Sequence, residues 1–523
     1  MEPKGGAQKI TYSTFADNQE LHGAFETAAR EVRGWFGQTH PVLIGGAERH
    51  LERTFDDLNP SDTRETLGRF ARGGAAEVQD AVQAAAAAYP AWSRRDYRER
   101  AALLRAGADR ISAHRFELAA LMSYEVGKNR AEALGDTEEA ADLLRYYCDQ
   151  IESAHGFTRP LERLTPNEET RSVLLPYGVW GVIAPFNFPL ALSAGMSGGA
   201  LVAGNTVVFK PASDAPFTGL MLGRILQQAG LPPGVFNVVT GSAAEVGDPL
   251  IAHPALAGLI FTGSFAVGTE LERRFSAHLP KPCILEMGGK NAAIVTAQAD
   301  LELAAEGIGR SAFGYGGQKC SACSRAYVAH ERYDELLERL VHYAGSVKIG
   351  DPLERGTFLG PLINRAAVDK YRSAVELARR DGRVVTGGGV LEQGGFEHGH
   401  FVTPAVVDSL GHDHPLLQEE LFVPLLCVAA VADLDEAIAR SNRSAYGLTA
   451  GIYSRDDDEV QTFFDRIEAG VTYANRRSGA TTGAWPGVNS FCGWKGSGNS
   501  GKGACGPYYV AQFLREQSRT WMR

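Results

Sequence analysis

Cys320, in the segment Gly317-Gln318-Lys319-Cys320, and Glu286, in Glu286-Met287-Gly288-Gly289-Lys290, set a thiol and a carboxylate among glycines. The pairing offers a nucleophile and a general base for covalent chemistry on a carbonyl. Only the thiolate attacks, and a free cysteine has a pKa of about 8.5. The surroundings of Cys320 are therefore expected to favour the anion, with backbone N–H groups of the Gly-rich turn as the means. Glu286 follows a short apolar run, which puts its carboxylate at a strand end, exposed where a water is to be deprotonated; a salt bridge is its competing role. Cys323 fits the plain role of a small buried hydrophobe.

Further segments supply what such a pair would need. Pro185-Phe186-Asn187-Phe188-Pro189 holds a carboxamide between rings and prolines just after an apolar strand. A fixed Asn N–H suits an oxyanion hole, where one donor is worth about 2.7 to 4 kcal/mol; the same side chain could instead satisfy the turn's own backbone. Lys210 ends the run Val207-Val208-Phe209-Lys210. It stands at the carboxyl end of a strand, where open α/β sheets bind ligands, and could hold a ribose or phosphate or simply be solvated. Phe261-Thr262-Gly263-Ser264, followed by Gly268, reads as strand, turn and helix start, a place for a dinucleotide phosphate without a complete GxGxxG. Glu420-Leu421-Phe422-Val423-Pro424 adds a carboxylate and a ring ahead of a strand.

The elements that must position these residues show in the hydrophobic pattern. Leu21, Phe25, Ala28, Val32 and Phe36 recur at helical spacing, and residues 77–150 read as successive helices that flank a sheet. From Val173 onward, short apolar runs alternate with helical stretches, the mark of a mostly parallel α/β sheet. The polar stretch Ile151 to Arg171 and the strand-like end, Gly506 to Met522, are excursions that pair with another subunit or form a surface hairpin.

At 523 residues the chain calls for two or three domains, at roughly 150 residues each. A net charge of −10 without a basic stripe argues against a nucleic-acid partner. Seven scattered cysteines without paired metal-ligand spacing read as reduced thiols in a cytosol, with no metal site. The start lacks an apolar segment of the signal-peptide kind, and no run approaches the ~18 apolar residues of a membrane span. A cytoplasmic protein is expected.

In order, the segments resemble the aldehyde dehydrogenase superfamily from about Pro41 to Thr520: FxxxGQxC at Phe313–Cys320, ExGGK at Glu286–Lys290, PxNFP at Pro185–Pro189 and ExFxP at Glu420–Pro424. The resemblance implies an aldehyde dehydrogenase-like α/β fold. Its parts would be an N-terminal extension (1–39), a Rossmann-type dinucleotide-binding domain (40–151 and 172–287) and an α/β catalytic domain (288–480). A small β oligomerisation hairpin (152–171 and 505–523) and an anchor loop with its return (481–504) complete it. At least a homodimer is implied. Cys320 would be the nucleophile, Glu286 the base, and the Asn187 amide with the Cys320 backbone N–H the oxyanion hole. Lys210 would meet the adenosine ribose, Gly263 and Ser264 the pyrophosphate, and Glu420 with Phe422 the nicotinamide ribose of NAD. Ser213 stands where NAD-selective members often carry Glu, which leaves NADP open.

Within the family the nearest resemblance is to the 1-pyrroline-5-carboxylate dehydrogenase subgroup, which oxidises glutamate γ-semialdehyde to glutamate in proline breakdown. That likeness implies a substrate α-carboxylate held by Ser321, Gly483 and Ala484, with Phe188 and Phe491 flanking the aliphatic part. Two departures bear on it: Arg476 to Thr481 runs about three residues longer than the usual loop, and Ser490-Phe491-Cys492-Gly493-Trp494 replaces the common PFGG. Succinate or aminoadipate semialdehyde is the rival substrate, and a non-catalytic dinucleotide-binding scaffold the rival from another class.

Overall fold

The structure, a computed structural model, describes residues 11, 18–479 and 485–523. Two seven-stranded sheets organise it. In the first, strands Cys283–Met287, Leu256–Gly263, Val179–Ile183, Thr206–Lys210 and Phe236–Val238 lie side by side and parallel, and Val42–Ile44 and Ala47–Arg49 add an antiparallel edge. Thr206–Lys210 is buried along its whole length, as a parallel strand covered on both faces must be. Val207 and Phe209 enter one apolar cluster and Val208 another, the two-residue alternation of a strand between two helix layers.

The second sheet runs in the order Arg383–Thr386, Ala405–Asp408, Leu425–Val431, Cys323–Ala329, Asn291–Val295, Thr449–Tyr453, Val471–Ala474, parallel except at its first pair. A third, small sheet pairs Leu514–Met522 antiparallel with Glu168–Pro176, which also carries Thr158–Pro160.

The helical spacing near the start becomes Gln19–Arg33, capped by Asn18 and buried through Phe25, Ala28, Ala29 and Val32. Phe36 lies beyond the helix and meets Tyr124 edge-on. The expected helical region holds Ala75–Arg94, Tyr97–Ala113, Arg115–Val126 and Arg130–Ser153. At the other end, the strand starts only at Leu514: Val510–Phe513 form a 3-10 turn whose Val510 and Phe513 are buried, so apolar content there serves packing rather than a ladder. Among the described residues no helix is long and apolar enough to cross a membrane.

Candidate active site

Glu286, Asn187, Lys210 and Ser264 all stand at the carboxyl edge of the first sheet or just beyond it. Leu256–Gly263 leads away from Val179–Ile183 on one side and Thr206–Lys210 on the other, so the chain reverses direction there, the place where open α/β sheets bind ligands. Cys320, Lys290 and Phe422 precede strands of the second sheet, at its amino edge. Only Gly288, Gly289 and Lys290 separate strand Cys283–Met287 from strand Asn291–Val295. This short link brings Glu286 of one sheet close enough to Cys320 of the other for its charge to act on the thiol.

The nucleophile turn is held from several sides. Gln318 receives the Ile363 N–H at 2.8 Å, and the Cys323 N–H donates to Ser311 Oγ at 3.1 Å. Gly317 has φ +66°, and a Cβ there would lie 2.5 Å from the Val423 carbonyl oxygen, so this position needs glycine twice over. The expectation of a favoured thiolate is overturned. Burial pushes the Cys320 thiol up to about 12, the fields of Glu420 and Glu286 add to the rise, and the N–H groups of Ser321 and Cys320 only partly oppose it. The resting group is a thiol. Cys323 is buried, as its plain role requires.

Glu286 is half-buried rather than exposed, with Oε2 fully enclosed and without a hydrogen-bond partner among the described residues. Burial pushes its carboxyl up to about 8 against a contact from the Gly493 N–H. Asn187 is 3% exposed, and its Nδ2 donates to the Gln318 carbonyl at 3.0 Å. One N–H is thus spent on the nucleophile's own turn, which ties the two segments together, and the amide keeps a second hydrogen.

Lys210 is buried rather than solvated: Nζ donates to the Pro211 carbonyl at 3.1 Å, and burial lowers its pKa to about 8. Ser213 is exposed, its Oγ donating to the Gly241 carbonyl at 3.2 Å. Gly263 closes its strand and Ser264 caps helix Phe265–Phe275, which carries no acidic residue in its first turn. The Val267 N–H donates to Ser264 Oγ at 3.4 Å, and the positive end of the helix, with no carboxylate in that turn, suits a phosphate. Glu420 accepts the Gly289 N–H at 3.1 Å and is pushed up to about 7 by burial. Phe422 adopts φ +61°, a strained backbone for a bulky residue, with its ring edge-on to Phe186. These donors and acceptors fit a nicotinamide dinucleotide laid along the sheet edge.

On the substrate side, Ser321 is buried next to Cys320, and Phe188 and Phe491 are half-buried, Phe491 bridging to Ala504. Gly483 and Ala484 lie outside the described residues. Sequence reasoning missed two ion pairs behind Phe188. Lys319 Nζ meets Glu132 Oε1 at 2.6 Å, and Lys128 Nζ meets Asp136 Oδ2 at 2.7 Å with both groups fully buried. Lys128 Nζ stands 3.7 Å from the centre of the Phe188 ring. Glu132 and Asp136 are one turn apart on Arg130–Ser153, and Asp136 also receives the Ala191 N–H at 2.7 Å. The only sequence signal was a lysine directly before the nucleophile.

A model of the aldehyde dehydrogenase family matches residues 47–518. A 1-pyrroline-5-carboxylate dehydrogenase of a Geobacillus species is 37% identical over 502 residues, 95% of each chain. The 1-pyrroline-5-carboxylate dehydrogenase 2 of Bacillus subtilis is 38% identical over 515 residues, 97% of each. Among solved structures, a 1-pyrroline-5-carboxylate dehydrogenase from Thermus with bound NAD superposes with a TM-score of 0.93 at 35% identity, covering 100% of both chains.

Proposed function

The chain belongs to the aldehyde dehydrogenase family, and from that premise we propose that it oxidises L-glutamate γ-semialdehyde, formed from 1-pyrroline-5-carboxylate, to L-glutamate with NAD in proline degradation. The observation that carries the chemistry is the meeting of Cys320, Glu286 and Asn187 at the joint of two sheets, with Asn187 bonded beside the nucleophile. Full-length relatives named for this reaction support the substrate.

Cys320 gives up its proton, for which ionised Glu286 is the acceptor, and its sulfur adds to the aldehyde carbon. The Asn187 amide and the Cys320 backbone N–H hold the oxyanion. Its collapse expels a hydride and leaves a thioester on Cys320. The nicotinamide dinucleotide, held by Lys210, Ser213, Gly263, Ser264, Glu420 and Phe422, supplies the hydride acceptor. Glu286 then takes a proton from water, the hydroxide adds to the thioester carbon, the same donors hold the second oxyanion, and the Cys320 sulfur departs.

Ser321 and the loop at Gly483 and Ala484 are read as donors to the substrate carboxylate, between Phe188 and Phe491. Among the described residues Glu132 Oε2 has no hydrogen-bond partner. We read it as the acceptor for the substrate's α-ammonium, a group that succinate semialdehyde lacks. The division at residues 287 and 288 into dinucleotide-binding and catalytic parts follows the change from one sheet to the other. Seven free cysteines support a reducing, cytosolic setting. The small terminal sheet, with Trp521 and Met522 exposed, supports a homo-oligomer built on that surface.

The test compares NADH formation with 1-pyrroline-5-carboxylate, succinate semialdehyde and propanal. A kcat/KM highest for 1-pyrroline-5-carboxylate is expected; a preference for either other aldehyde would overturn the substrate while leaving the cysteine chemistry standing.

A further inference from the structure

The glycine link between the sheets ends in Asn291, whose amide is spent on the nucleophile's turn. Nδ2 donates to the Cys320 carbonyl at 2.7 Å and to the Ala322 carbonyl at 2.9 Å. Oδ1 accepts the Thr449 N–H at 3.0 Å. Two carbonyls and one N–H around a side chain that is 3% exposed allow a single orientation of the amide. The strand ladder itself breaks at this point: Asn291 is opposite Cys323 and Ala292 is opposite Arg325, so the side chain replaces regular pairing. A Cβ at Gly289 would lie 2.7 Å from the Cys320 oxygen and 2.5 Å from Asn291 Oδ1, so the link is also shaped to admit this contact.

In a trans peptide the carbonyl of one residue and the N–H of the next point in opposite directions from one rigid plane. Fixing the Cys320 oxygen therefore aims the Ser321 N–H, and that N–H faces the Cys320 thiol and favours its anion. We propose that Asn291 is a positioning residue for the acylation half of the reaction, locking the Cys320–Ser321 peptide so that its N–H stabilises the attacking sulfur. Neither ligand nor substrate touches Asn291 in this account. It acts through the nucleophile, and the inference rests on Cys320 being that nucleophile.

The test uses the full-length enzyme and the variants N291L, which has no donor, N291S, which keeps one, and C320S. Alkylation of Cys320 by iodoacetamide at pH 8 is followed by mass spectrometry, beside single-turnover hydride formation, acyl-enzyme hydrolysis and NAD affinity. Both Cys320 alkylation and hydride formation should slow about tenfold in N291L, equivalent to about one pH unit or 1.4 kcal/mol. N291S should fall between N291L and wild type, and hydrolysis and NAD affinity should hold. Wild-type rates in both variants, or an equal slowing of hydride formation and hydrolysis, would overturn the positioning role. If N291L fails to fold, N291S decides by the same criteria. An active C320S would instead overturn the nucleophile assignment, a separate outcome.

Discussion

Glu286→Gln separates the two halves of the reaction, and the burial of Glu286 sets how. With its carboxyl near 8, about one-tenth of the enzyme carries the ionised base at pH 7. Thioester hydrolysis in the wild type should therefore rise about tenfold per pH unit below 8 and level off above it. The Gln variant, which also lacks the acceptor for the thiol's proton, should release one NADH per active site in a slowed burst and then run about 10² to 10⁴ slower, with no inflection in that range. The same shift has a stability consequence. A carboxyl raised above its ordinary 4.5 contributes stability that is fully present below 4.5 and lost as pH rises through about 8. Each pH unit in that window is worth about 1.4 kcal/mol, and the half-buried position discounts the sum to a few kcal/mol. Glu286→Gln should thus gain on the wild type in urea denaturation between pH 5 and pH 9. Stopped-flow NADH traces and paired denaturation curves read both effects. A hydrolysis midpoint near 4.5, or steady turnover by the variant at the wild-type rate, would refute the role given to this buried base.

Asn187→Ala should lower kcat by about 10²- to 10³-fold, as the loss of one oxyanion donor does, with NAD affinity by fluorescence titration unchanged. Glu132→Gln should raise KM for glutamate γ-semialdehyde relative to that for succinate semialdehyde by about tenfold or more, the scale of a lost charge-assisted hydrogen bond, beyond the loss common to both substrates from unpairing buried Lys319. Lys128→Met strands the buried Asp136 carboxyl and should cost about 3 to 5 kcal/mol in thermal unfolding, with Lys128→Met combined with Asp136→Leu recovering part of the loss.

The residues proposed to act on the carbonyl stood out because each sits in a short segment whose local shape the sequence dictates. Asn187 lies in a Pro-bounded turn, Cys320 after a glycine that only a left-handed turn explains, and Ser264 where a strand gives way to a helix cap. Parallel strands such as Thr206–Lys210 were legible for the same reason, as continuous apolar runs. Partners brought together by the fold were not. Lys319 and Glu132 are 187 residues apart in the chain, and nothing near either one marks the other. Protonation was also out of reach: the Gly-rich turn does aim two N–H groups at Cys320, but enclosure by both sheets outweighs them. The terminal strand was extended too far because Val510 and Phe513 have strand-like composition and a 3-10 turn's geometry.

Burial therefore orders the chemistry. The Cys320 thiol, Glu286 and Glu420 are all pushed toward their neutral forms, and ionised Glu286 opposes the thiolate directly. The two sites share their titration, so a double anion is the disfavoured state. When Glu286 takes the thiol's proton it becomes neutral, which removes the charge that opposed the sulfur and so favours attack. That same proton disables Glu286 as a base, and it must leave before water can be activated. In the proposed reaction a proton would therefore pass to solvent between acylation and hydrolysis. Proton release measured with a pH indicator should follow the NADH burst and precede hydrolysis; release that waits for the hydrolytic step would mean another group takes the thiol's proton.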